Sequence, residues 1–203
     1  MQRYLRHLVL LKLVLLSLTA AALVGQMQGL LERMSLWSGW LCVLLFAATL
    51  MVGPWTLHGN VKPATNILLR RDLGIWAAVT GLIHFALGTA FSMNPEYISR
   101  FVVDELGQSR FFWGSIWGTV AGLLVLILLV ISNNRLLAKL GAVWWKRLQR
   151  LAYPAFLITV IHGVYFQLLE QRSYYLYASL ALLVLVASAQ LFGMWRYRQL
   201  RRQ

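Results

Sequence analysis

The chain has 203 residues, of which 60% are hydrophobic and 12% are charged, and its mean hydropathy is positive. This composition excludes an ordinary soluble domain and is typical of a membrane protein. The formal charge of +13 does not indicate nucleic-acid binding, because the basic residues form short clusters between apolar runs. The single cysteine, Cys42, lies inside an apolar run without a partner. An intrachain disulfide is therefore excluded, and Cys42 is predicted to be a small buried residue.

Six apolar runs recur along the sequence, each near the ~20 residues that a helix needs to cross a bilayer. The predicted fold class is therefore all-α, a polytopic membrane protein with one six-helix bundle over residues 1–203. A cleaved signal peptide is disfavoured at the first run, which is long and contains Lys12. The predicted spans are residues 8–26, 37–56, 73–93, 111–132, 148–169 and 175–195.

The distribution of lysine and arginine predicts the orientation of these spans. One side of the membrane would hold both termini and the 57–72 and 133–147 connections, with fifteen of the nineteen basic residues. The other side would hold only Arg33, Arg100, Arg110 and Arg172. Because cytoplasmic loops are enriched in basic residues, both termini are predicted to be cytoplasmic, in a bacterial inner membrane.

Two histidines lie deep in the predicted spans, where ionisable groups are costly and usually functional. His84 follows Arg71 by thirteen residues, and His162 follows Arg150 by twelve. Both spans run outward, so each ring is expected about 18–20 Å from the inner boundary at ~1.5 Å per residue. Equal depth on two parallel helices suits the ligation of one haem iron by two histidines. The alternative is that each histidine only makes an interhelical hydrogen bond.

Small and polar neighbours support a cofactor site around these histidines. Gly81 and Gly88 stand at −3 and +4 from His84, so they share its helix face and leave room for the edge of a macrocycle. Thr159, one turn before His162, is a candidate hydrogen-bond partner for that ring. These five residues form the predicted haem-binding site, with the two histidines as metal ligands.

Three further glycines repeat at every fourth position of the fourth span. This spacing predicts a smooth helix face for close approach of another helix or a flat ligand. It is not a nucleotide fingerprint, because it lies within a span and follows no strand. The three residues are Gly114, Gly118 and Gly122.

The two remaining histidines lie outside the spans or at their ends. His7 is placed at the inner interface, and His58 in a basic connection. Solvation or contact with lipid headgroups is the role expected of both.

At these residues the sequence resembles the ferric reductase-like transmembrane family, which includes the haem-binding membrane subunit of the bacterial methionine-sulfoxide reductase system. The matching segments are 70–76, leading to His84, and 145–153, leading to His162. The resemblance implies six helices with haem ligands on the third and fifth. Members with two stacked haems carry a further histidine about thirteen residues from each ligand. Here the corresponding positions hold Arg70, Arg71, Tyr97, Ile98 and Gln149, so a single haem is expected.

The predicted function is that of a membrane cytochrome subunit, which carries one b-type haem between two histidines for electron transfer near the periplasmic face. Its expected partners are the lipid bilayer, a quinol or a redox protein, and subunits of a larger complex. It is not expected to be a complete enzyme alone. The alternative is a non-catalytic structural or assembly subunit that keeps the fold without haem.

Overall fold

A computed structural model describes residues 2–23, 29–57, 63–93, 110–200 and 202. All regular structure in these ranges is helical, which confirms the all-α class. The helices are α1 (Gln2–Leu23), α2 (Leu30–Thr56), α3 (Pro63–Ser92), α4 (Arg110–Ile131), α5 (Asn134–Gln149), α6 (Ala152–Leu169) and α7 (Ser173–Leu200).

Five stretches of the described chain are long and apolar enough to cross a membrane, at 30–56, 67–92, 111–131, 143–169 and 173–200. They correspond to the last five predicted spans, so the chain is a multi-pass membrane protein. The first predicted span, 8–26, overlaps α1, which is not among these five stretches, and residues 24–26 lie outside the described ranges. Most helices are longer than predicted because polar residues at their ends continue the helix beyond the apolar core.

Helix α5 occupies the 133–147 connection, which was predicted only as a loop. Asn133 accepts a hydrogen bond from the backbone N–H of Arg135 at 2.9 Å and so caps the start of α5. Gly141 interrupts the helix with φ of 72°, a conformation that favours glycine. Trp145 Nε1 donates to the backbone oxygen of Ile131 at 2.8 Å, which ties α5 to the end of α4.

Helix α2 is the centre of the bundle. It packs most extensively against α3 and also contacts α1, α6 and α7, while α4 pairs chiefly with α6. The buried core lies where these helices meet, and the rings of Phe46 and Phe156 pack edge to face with centroids 5.6 Å apart. The bundle is thus organised as two helix pairs, α2 with α3 and α4 with α6.

A proline in α2 creates a polar contact with α7. Pro54 has no N–H, so the carbonyl of Leu50 lacks its usual partner in the helix. Gln190 Nε2 of α7 donates to this Leu50 oxygen at 2.7 Å. Gly193 lets the helices approach, because a Cβ at this position would lie 3.1 Å from Pro54.

The beginning of α3 is anchored to α1 by a buried carboxylate. Asp72, which the sequence placed in an inner connection, is fully buried in α3. Arg6 donates to Asp72 Oδ2 from Nε at 3.0 Å and approaches it with Nη2 at 2.9 Å. An ion pair therefore fixes the first helix against the third.

Candidate functional site

The structure brings His84 and His162 together between the two helix pairs. Their ring centroids are 6.0 Å apart, and their planes are inclined at 71°. His84 lies on α3 and His162 on α6, as predicted for the third and fifth spans. The two rings thus lie edge to face, next to one another inside the bundle.

His84 is held by the backbone of α2. Its Nδ1 lies 2.7 Å from the carbonyl oxygen of Ser35 and 3.4 Å from Ser35 Oγ. Four residues further along α2, Gly39 leaves space for the ring, since a Cβ there would lie only 3.0 Å from His84 Cε1 and Nδ1. The ring therefore occupies a gap that a larger residue would narrow.

His162 is held in the same way by the backbone of α4. Its Nδ1 lies 2.9 Å from the carbonyl oxygen of Gly114. Gly118, again four residues later, admits the ring, because a Cβ there would lie 2.6 Å from His162 Cε1 and 2.8 Å from Nδ1. We call this arrangement, a carbonyl at position i and a glycine at i+4, a carbonyl–glycine notch: Ser35 with Gly39, and Gly114 with Gly118.

The notches determine which ring nitrogens are available. A carbonyl oxygen can only accept a hydrogen bond, so Nδ1 of each histidine must carry the proton that it donates. In the neutral ring Nε2 then bears the free lone pair. Within the described ranges neither Nε2 of His84 nor that of His162 makes a hydrogen bond. Both rings therefore offer an unprotonated Nε2.

A cavity of about 670 Å³ surrounds the two histidines. Its size falls within the range of about 300–1,000 Å³ that is common for small-molecule and cofactor sites. The lining is mostly apolar and rich in glycine, and it reaches the bundle end where α2 begins and α6 ends. A mostly apolar space that opens at one end, next to two free imidazole nitrogens, suits a large, flat, hydrophobic ligand.

The other predicted site residues also line this cavity. Gly81 and Gly88 additionally face α2, since a Cβ on Gly81 would lie 3.0 Å from Cys42 Sγ and one on Gly88 would lie 3.5 Å from Ser35 Oγ. Thr159 Oγ1 donates to the carbonyl of Ala155 at 2.8 Å. The hydrogen-bond partner of His162 is therefore the Gly114 carbonyl, and Thr159 only contributes to the lining.

The three glycines of α4, Gly114, Gly118 and Gly122, were predicted to allow close approach of another helix or of a flat ligand. A Cβ on Gly114 would lie 2.7 Å from the ring of Phe166, so this glycine allows α4 and α6 to pack closely. Gly118 receives His162, and Gly122 lines the cavity. Cys42 is buried and also lines the cavity, which confirms its predicted burial.

One end of the cavity is polar. Arg172 forms an ion pair with Glu32 and lies 3.9 Å from Glu170 Oε2. Gln171, with φ of 54°, closes the turn after α6, and the Arg172 N–H donates to the carbonyl of Gln167 at 2.9 Å. Gln167 is buried, and its Oε1 makes no hydrogen bond within the described part of the chain. A hydrogen-bond donor of a ligand can therefore bind to this oxygen.

His7 does not take part in this arrangement. His7 Nδ1 accepts a hydrogen bond from Trp76 Nε1 at 3.2 Å, and its Nε2 lies 3.4 Å from Asp72 Oδ1. His7 therefore contacts protein groups of α3, where contact with water or headgroups was expected. His58 lies outside the described residues.

The sequence interpretation missed Ser35, Gly39 and Gln167. The Ser35 and Gly114 carbonyls carry no sequence signal, because every residue has one. Gly39 was visible only as one glycine inside an apolar span. A glycine four residues after an accepting carbonyl can be assigned a role only when the histidine that packs against it is known.

Comparison with known proteins identifies relatives of the chain. The profile of the ferric reductase like transmembrane component matches residues 37–160, more than half of the chain. This range includes His84 and both notch glycines and ends two residues before His162. The protein-methionine-sulfoxide reductase heme-binding subunit MsrQ of Pectobacterium atrosepticum is 25% identical over 158 residues, covering 78% of this chain and 76% of that protein. Its counterpart in Pectobacterium carotovorum subsp. carotovorum is 24% identical over 158 residues, with the same coverage.

Proposed function

Since the chain belongs to the ferric reductase-like transmembrane family, we propose that it is a membrane redox subunit that binds one b-type haem between His84 and His162. The observation that carries the proposal is the pair of adjacent imidazoles, 6.0 Å apart between centroids, each with Nδ1 bound to a backbone carbonyl. The relatives from two Pectobacterium species are named as haem-binding subunits, which supports the same cofactor.

The distance between the rings fits this assignment. Metal–imidazole bonds are about 2.0–2.1 Å long and an imidazole nitrogen lies about 1.1 Å from its ring centre, so two imidazoles that bind one metal have centroids at most about 6.3 Å apart. The separation of His84 and His162 is 6.0 Å, within a few tenths of an ångström of this value. The apolar cavity provides a hydrophobic surface for a porphyrin.

The residues of the chain would control the properties of the site. His84 and His162 would hold the haem iron through Nε2, with the proton kept on Nδ1 by the carbonyls of Ser35 and Gly114. The surrounding helices would exclude water and set the dielectric around the charge. A bound haem would supply a one-electron ferric/ferrous couple, for which the protein provides binding, orientation and electrostatics.

The distribution of basic residues indicates which face of the membrane the open end of the cavity lies on. The cavity opens toward the end of the bundle with Glu32, Glu170 and Arg172, opposite the end anchored by Arg6 and Asp72. Because basic residues concentrate on the cytoplasmic side, we assign the cavity end to the periplasmic face of a bacterial inner membrane. A quinol or a redox protein would then exchange electrons with the site, as one subunit of a larger system. A reporter fused after Gln203 should read as cytoplasmic, and a periplasmic signal would overturn the assignment.

The test of the proposed function is haem ligation. The purified wild-type protein should show the reduced Soret and α bands of a low-spin b-type haem, with one haem per chain. His84→Ala and His162→Ala should each abolish the low-spin species, because one imidazole leaves the iron five-coordinate or releases the cofactor. His7→Ala is the matched control, since His7 contacts α3 away from the cavity, and it should retain the spectrum.

Two results would contradict the proposal. A folded wild-type protein that takes up no haem from haem-replete cells would favour the alternative, a structural subunit of a larger complex. Normal low-spin haem in the double variant His84→Ala, His162→Ala would place the ligands elsewhere. Circular dichroism and detergent-phase size exclusion should show that each variant is folded.

A further inference from the structure

The two carbonyl–glycine notches differ at the third residue after the carbonyl. In α2 this residue is Ser38, which is fully buried and donates from Oγ to the Ser35 carbonyl at 2.9 Å. The same carbonyl accepts the Nδ1–H of His84 at 2.7 Å. In α4 the equivalent residue is Trp117, which has no hydroxyl to offer the Gly114 carbonyl. The two histidines therefore donate to unequal acceptors.

Competition between donors at the Ser35 carbonyl oxygen weakens the hydrogen bond that this oxygen accepts from His84. A carbonyl oxygen has two lone pairs. Ser35 lies inside α2, so its oxygen also faces the helical N–H of Gly39 in addition to Ser38 and His84. Three donors share two lone pairs, and each draws less electron density than it would alone. In the described structure the Gly114 carbonyl oxygen accepts no hydrogen bond from a side-chain hydroxyl.

We propose that Ser38 is a positioning residue that raises the reduction potential of the site by weakening the hydrogen bond from His84 to Ser35. The inference rests on the proposed haem function. A ligating histidine that donates a strong hydrogen bond gains imidazolate character and becomes more basic, which stabilises the ferric state. By drawing on the same carbonyl, Ser38 makes His84 the less basic ligand, and this favours the ferrous state.

Ser38 acts without touching the cavity. It is fully buried behind the Ser35 carbonyl, whereas Ser35 and Gly39 line the cavity itself. Its effect should therefore appear in the potential, with little change in haem content. This behaviour distinguishes tuning of His84 from a general contribution to packing.

The experiment is a redox titration of purified, haem-loaded variants. Ser38→Ala should lower the ferrous-to-ferric ratio at fixed ambient potential about threefold, a shift of about 28 mV at 59 mV per factor of ten for one electron. Ser38→Thr keeps the hydroxyl and should restore the wild-type midpoint. Thr49→Val is the matched control, because Thr49 is also buried in α2 and donates to a carbonyl, that of Leu45, which no histidine contacts in the described structure.

A reciprocal variant tests the sign. Trp117→Ser would place a hydroxyl three residues after Gly114 and should raise the midpoint. The proposal is wrong if Ser38→Ala retains low-spin haem and has the same midpoint potential as Thr49→Val. It is also wrong if the midpoint potential of Ser38→Thr shifts as much as that of Ser38→Ala. Loss of haem from Ser38→Ala, with no upward shift in Trp117→Ser, would also overturn it. Absence of haem from the wild-type chain would instead refute the proposed function.

Discussion

Replacing Gly118 by alanine tests the notch that receives His162. The added Cβ would lie 2.6 Å from His162 Cε1, which is about 0.8 Å short of ordinary contact at 3.4 Å. A ligand set must be held within about 0.5 Å of its working geometry. The ring would have to move further than this, so its bond to the Gly114 carbonyl and its approach to a haem iron should both be lost.

The effect on stability should be small by comparison. Alanine gains about 1 kcal/mol over glycine in helix propensity, whereas overpacking costs about 1–3 kcal/mol. The two effects largely offset each other, leaving a net loss of about 0–2 kcal/mol in the free energy of unfolding. Gly118→Ala should therefore insert and fold but bind little low-spin haem.

Two further glycines provide a graded series. Gly39→Ala would place its Cβ 3.0 Å from His84, about 0.4 Å short of ordinary contact and within the tolerated range, so haem should remain with a shifted midpoint. Gly53→Ala meets nothing within 4 Å and should behave as the wild type. The assay is the haem-to-protein ratio and the low-spin spectrum of each purified variant. Wild-type haem content and midpoint in Gly118→Ala would refute the steric reasoning.

Three other predictions concern the scaffold and the number of haems. Gln190→Leu leaves the Leu50 carbonyl without its partner and should lower the free energy of unfolding by about 1–3 kcal/mol, measured by thermal unfolding in detergent; an unchanged midpoint would argue against it. Asp72→Asn removes the charge that Arg6 pairs with and should cost about 1–3 kcal/mol, below the value for a fully buried pair because Arg6 partly reaches solvent. Equal stability of the variant and wild type would contradict this. Gln149→His should not add a second low-spin haem, because the matching part of α3 carries arginines; two haems per chain would show otherwise.

Much of the fold could be predicted from apolar run length alone. A ~30 Å hydrocarbon layer requires about 20 apolar residues per helix, so the spans are encoded directly. Their ends were predicted less well, because polar residues outside the hydrocarbon can continue a helix. The 63–72 extension of α3 and the whole of α5 are of this kind. Asp72 was assigned to a connection for the same reason, although it is buried against Arg6.

The candidate site was predictable where side chains are chemically distinctive. Histidines are rare in apolar spans, and counting residues from the basic ends placed His84 and His162 at equal depth. In the structure these two rings lie edge to face, with centroids 6.0 Å apart. The backbone carbonyls that hold them could not be predicted. Which carbonyl lies opposite each histidine depends on how α2 packs on α3 and α4 on α6, and the sequence of one helix alone does not determine this packing.

Packing within each helix pair sets the orientation of each histidine ring, and packing between the pairs sets the distance between the two rings. Each notch orients one ring within its own helix pair, so Gly39 and Gly118 set where the lone pairs point. The 6.0 Å between the rings depends instead on how the two pairs are held together. The edge-to-face contact of Phe46 with Phe156 lies between the pairs, and α7 contacts both α2 and α6. A change at Phe156 is therefore expected to alter the separation of the two rings while leaving both notches intact, whereas a change at a notch glycine should displace one ring alone.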